Sequence, residues 1–147
     1  MKIIESKIVG KKSQESCEDG MVVTDDFIAV IDGSTSKTPK HLNPDMKNGR
    51  YAMMLISEYI REELKADASV DDFCQGVSAY IYNKVYEKLG VEKRLKEHPE
   101  ERLTASAISF IAGQGMKYGW WVIARQSLME SFMRTANLMR RRLPGRG

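Results

Sequence analysis

Three carboxylates stand where chemistry is easiest to build: the acidic pair Glu18-Asp19, and Asp32, which runs directly into Gly33-Ser34. Met21 to Thr24 and Phe27 to Ile31 are short, apolar and rich in β-favouring residues, with only Asp25-Asp26 between them. Two adjacent strands joined there would bring carboxylates from separate strand ends close together in space. Mg²⁺ and Mn²⁺ take oxygen ligands, and an aspartate at a strand end with glycine behind it offers both a side-chain oxygen and an open backbone carbonyl. Glu-Asp-Gly and Asp-Gly-Ser are also ordinary turn sequences, and either tripeptide alone reads more often as a turn than as a ligand set. Their order and spacing shift that balance toward a cation site.

The elements that must position these residues follow from patterning. Lys2 to Val9 alternates weakly and fits a first strand, and the hairpin Met21 to Ile31 comes next, across a turn less favourable than Asn-Gly. Ser34 to Asp45, with Pro39 and Pro44, reads as a loop whose Ser34, Thr35 and Ser36 are either phosphate-contacting hydroxyls or, more commonly, solvated turn residues. From Asn48 to Lys65 apolar residues recur at helical spacing (Ala52, Leu55, Ile56, Tyr59, Ile60, Leu64), which predicts an amphipathic helix over a core. Ser69 with Asp72 resembles a capping box opening a second helix, whose stripe is Phe73, Val77, Ile81, Val85 and Leu89 and whose stop is Gly90. Tyr80, Tyr82 and Tyr86 cannot all face one side of it, so at least one should meet the sheet with its hydroxyl at the rim. Val91 to Arg102 mixes charges and reads as a solvated connector, and Leu103 to Ile111 returns to strand character with small residues at Ala105, Ser106 and Ala107.

At 147 residues the chain is one domain at most, large enough for a real core. No apolar run reaches membrane-spanning length and Met1 to Glu5 lacks a secretory apolar region, so a cytoplasmic protein is expected. Cys17 and Cys74 are too few for a disulfide framework; Cys74 falls on an apolar helix face, and Cys17 lies beside the proposed site. His41 and His98 stand alone and read as surface residues. Charge is split: residues 1–112 carry 16 Lys and Arg against 19 Asp and Glu, net −3, whereas residues 113–147 carry 7 against Glu130 alone, net +6.

Taken in order, Cys17-Glu18-Asp19, the strand Phe27 to Ile31 with Asp32-Gly33, two helical patterns and Thr104-Ala105-Ser106-Ala107 resemble the metal-dependent protein phosphatases of the 2C type, over roughly the first three-quarters of the chain. That family opens on Arg-x-x-x-Glu-Asp, whereas Gln14 stands at the arginine position here, and Ser34-Thr35-Ser36-Lys37 replaces its usual His-Gly-Gly. The resemblance implies an α+β fold in which an antiparallel sheet packs on a pair of helices, as part of a 2C-type β-sandwich. It also implies a metal site of Glu18, Asp32 and the Gly33 carbonyl for Mg²⁺ or Mn²⁺, with Asp19 orienting from behind. An intact relative would hydrolyse phosphoserine or phosphothreonine in a phosphoprotein substrate. No catalytic residue is assigned, because the family's further metal-binding aspartates have no counterpart after residue 112, and this chain is expected to be inactive.

Residues 1–111 thus read as the N-terminal part of such a domain and residues 112–147 as an atypical basic tail. Back-translation of the tail in a shifted register permits a string ending in Gly-Asp near Val122 and Ile123, so a change of coding frame near Phe110 would account for both the charge split and the missing aspartates. In that case the strand ending at Ile111 should lack a partner. The competing expectation takes the tail at face value: Leu128, Met129, Phe132, Met133, Ala136 and Met139 recur at helical spacing among arginines. That is a basic amphipathic helix suited to a membrane surface or to nucleic-acid phosphates, in a non-enzymatic binding protein. No module specific for nucleic acid is present, and the oligomeric state is open.

Overall fold

A computed structural model describes residue 3, residues 5–111 and residues 117–123. Strands β1 (Asp19–Val23) and β2 (Phe27–Gly33) form the expected hairpin. No described residue other than glycine has a positive φ, so the turn is not of the primed types that hairpins favour. Thr24 closes it instead: its N–H donates to the Phe27 carbonyl at 2.8 Å, and its hydroxyl accepts from the Phe27 N–H at 2.9 Å. The sheet continues through β3 (Ala105–Ile111) to β4 (Lys117–Ile123), all antiparallel, in the order β1-β2-β3-β4. β3 is therefore paired along its whole length, from Ala105 opposite Ile123 to Ile111 opposite Lys117. This corrects the expectation that it lacks a partner. Residues 5–10 form no strand, against expectation: Ile3 and Val9 are exposed and Ile8 is only half-buried, so the segment has little apolar surface in the core.

Helices cover one face of the sheet, which makes the fold α+β with an antiparallel sheet packed on a helical pair. Along β2 burial alternates, with Phe27, Ala29, Ile31 and Gly33 inward and Val30 and Asp32 outward. α1 (Asn48–Glu62) lays Ala52, Leu55, Ile56, Tyr59 and Ile60 on that inward face. α2 (Val70–Ile81) begins with the expected capping box: the Ser69 hydroxyl accepts from the Asp72 N–H at 3.1 Å, and the Ser69 N–H donates to the Asp72 carboxylate at 2.9 Å. Ala105 and Ala107 are buried, consistent with their small size admitting close packing.

The second helix does not run straight to its end. Tyr82–Tyr86 forms a π turn before a last α-helical turn, α3 (Glu87–Leu89), and Gly90 then stops the helix in the left-handed conformation at φ 64°. The wider turn rotates the apolar stripe. Val85 is buried as expected and Tyr82 and Tyr86 are brought inward with it, while Leu89, expected in the stripe, is 52% exposed. Tyr86 is fully buried; its hydroxyl accepts from the Leu103 N–H at 2.9 Å, and burial pushes its pKa up to about 12. Tyr80 stays half-exposed, its ring against Tyr59 and its hydroxyl bonded to the Lys84 ammonium.

The charged connector is also not simply solvated. It folds into α4 (Glu92–Glu97) and a 3₁₀ turn, Pro99–Glu101, with Leu95, Glu101 and Arg102 buried. Arg94 grips the Glu101 carboxylate with two N–H groups, Nε to Oε2 at 2.6 Å and Nη2 to Oε1 at 3.0 Å, which lets a buried charge stand beside the core.

Candidate functional site

Strand register decides which carboxylates meet. Asp19 lies directly opposite Asp32 on β1 and β2, both on the face turned away from the helices and both exposed. Withdrawal from water raises the Asp32 pKa first; the adjacent Asp19 carboxyl raises it further, through a hydrogen bond and like charge, Glu18 adds a little, and Lys11 lowers it. Two like charges held across neighbouring strands repel, and a dication between them relieves that repulsion.

Glu18 precedes β1 and turns the other way. Its Oε2 accepts from the Thr35 hydroxyl at 2.9 Å, and its backbone carbonyl accepts from the Gly33 N–H at 2.9 Å. Its Oε1 is buried against the start of α1 with no hydrogen-bond partner among the described residues. Two glycines permit that approach. A Cβ on Gly49 would lie 2.6 Å from Glu18 Oε1 and 2.5 Å from the Ser34 carbonyl oxygen, and one on Gly33 would lie 2.1 Å from the Gly49 carbonyl oxygen. The first turn of α1 contains no acid, so the Glu18 carboxylate sits where the helix dipole favours negative charge.

The residues fit a hard cation in part. Mg²⁺ commonly uses one or two carboxylates and keeps several waters, and Asp19 with Asp32 supplies that pair. Asp19, expected behind the ligands, is the residue facing Asp32, while the Glu18 side chain is directed toward Thr35 and Gly49. Glu18, Asp19 and Asp32 do not offer three ligand atoms within 4.8 Å of one another. Among the described residues the one group that does is His98, Glu100 and Glu101, which the short turn after α4 assembles and sequence spacing did not foretell. Glu101 there already carries Arg94, with Lys40 at 3.7 Å, so a further cation would displace existing partners.

Arg50 was also missed. Its Nη1 donates to the Cys17 carbonyl at 2.6 Å and to the Gln14 carbonyl at 3.3 Å, tying α1 to the segment that presents Glu18. Cys17 is buried there, its thiol against the Asp19 carbonyl at 3.7 Å; Cys74 is buried in the core, where burial raises its pKa. His41 and His98 are exposed, as expected. The basic stretch 128–147 lies outside the described residues, and no described helix is long and apolar enough to cross a membrane. Compared with protein-family models, curated proteins and solved structures, the chain finds no match.

Proposed function

We propose that this chain binds Mg²⁺ or Mn²⁺ at the strand-end carboxylates Asp19 and Asp32, with Glu18 turned toward Thr35 and outside that pair, and that it corresponds to the N-terminal part of a metal-dependent serine/threonine phosphoprotein phosphatase of the 2C type. One observation carries the reading: two carboxylates singled out in the sequence are registered face to face on adjacent strands, with the Asp32 pKa raised. A cation held there would acidify a coordinated water toward neutrality. No aspartate follows Asp72, so this sequence supplies one side of a two-metal site, and no phosphoester hydrolysis is expected from it alone.

Calorimetric titration with Mn²⁺ and Mg²⁺ tests the binding half. Saturable binding that weakens in Asp32→Asn is expected. Unchanged affinity in the variant removes Asp32 from the site, and no binding by the parent chain removes the site altogether.

A further inference from the structure

We propose that the chain carries a second site, independent of metal, that binds the phosphate of a phosphate monoester in a pocket between the loop after β2 and the segment leading into β3. The cavity is about 440 Å³, with Ser34, Thr35, Ser36 and Lys37 on one wall and Arg102 and Thr104 on the other. A hydrogen bond of 2.9 Å from the Ser34 N–H to the Thr104 carbonyl holds the two walls together.

Arg102 is the informative member. It is only 7% exposed, its Nε is committed to the Leu95 carbonyl at 2.8 Å, and its Nη1 is buried with no partner among the described residues. A buried guanidinium N–H without an acceptor is costly, and an oxyanion is the natural acceptor. The ammonium of Lys37 and the hydroxyls of Ser34 and Thr104 likewise have no partner among the described residues. The Thr35 hydroxyl is given to Glu18, and the Ser36 hydroxyl to the Thr38 carbonyl at 2.9 Å.

Among the described residues lining the pocket the one acid is Glu100, which is exposed and lies 3.3 Å from His98, so the two cations there outweigh it. A buried guanidinium N–H, a lysine point charge and hydroxyls from opposite walls, converging from several directions, suit a tetrahedral anion with several acceptor oxygens better than a planar carboxylate. The cavity is larger than phosphate, which leaves room for the esterified group.

Inorganic phosphate and phenyl phosphate titrated calorimetrically in the presence of EDTA test this directly. Saturable binding is expected, weakened roughly tenfold or more by Lys37→Gln or Arg102→Gln, the scale of one lost charge-assisted contact. Arg102→Gln also removes the contact to Leu95, so the exposed Lys37→Gln, together with Thr104→Val, supplies a readout that does not depend on a buried change. The proposal is overturned by no saturable binding in EDTA, or by binding indifferent to both Lys37→Gln and Thr104→Val. It is equally overturned by binding that appears only with Mn²⁺ and vanishes in Asp32→Asn, because the anion would then sit on the metal.

Discussion

Two polar regions flank the start of β2's following loop, and they are built in opposite ways. At the strand ends Asp19 and Asp32 are exposed, alike in charge and paired by the register of one local hairpin. In the neighbouring pocket Arg102 is buried and opposite in charge, and its surroundings come from chain segments far apart in sequence. The first can be altered with little effect on folding, because solvent screens it; the second is part of the core's wall. A polar site is therefore tolerant or fragile according to whether water or protein completes its shell.

The largest effect expected from breaking this contrast is Leu95→Ala. Leu95, whose carbonyl accepts from Arg102, is fully buried, so its truncation should cost roughly 2–5 kcal/mol in denaturant unfolding. Binding of phosphate should fall with it while Mn²⁺ affinity is kept. A loss under about 0.5 kcal/mol would mean that the connector contributes little to the core.

Gly49→Ala attacks the seam between the two regions. Its Cβ would press on the Ser34 carbonyl and Glu18 Oε1, at an expected cost of about 1–3 kcal/mol in the same measurement. Tyr86→Phe should fall in a similar range, about 1–3 kcal/mol, by leaving the buried Leu103 N–H without its acceptor. A neutral result for either would show that the backbone shifts easily there.

The smallest effect belongs to the exposed pair. With the folded-state pKa of Asp32 raised, the favourable contribution of its protonated form is complete below the ordinary aspartate value and is lost as pH rises through the raised one. Asp32→Asn should therefore stabilise the metal-free protein slightly at neutral pH, by about 0.5 kcal/mol at most once solvent screening is counted, with a small rise in Tm, and leave its stability unchanged in strong acid. A lowered Tm at neutral pH would contradict the repulsion.

How much of this could be read from the residues follows the same division. Glu18, Asp19 and Asp32 were visible because a hairpin is local and alternation assigns its faces; so were α1, the Ser69-Asp72 cap and the Gly90 stop. What register decided was hidden: that Asp19 rather than Glu18 opposes Asp32. The π turn at Tyr82–Tyr86 was hidden because it follows from tertiary packing, and it moved Leu89 out and Tyr86 in. Arg102 and Glu101 looked solvated because mixed charge usually is, and the bidentate Arg94 contact that buries Glu101 has no signature in spacing.

The measurement closest to the central claim is the titration of individual aspartate carboxyl carbons by NMR, with and without the diamagnetic Mg²⁺. Asp32 is expected to titrate above the ordinary aspartate value in the metal-free protein, and saturating Mg²⁺ is expected to bring its pKa down, with the Asp19 signal shifting at the same Mg²⁺ concentration. An Asp32 that titrates normally and ignores Mg²⁺ would contradict that claim.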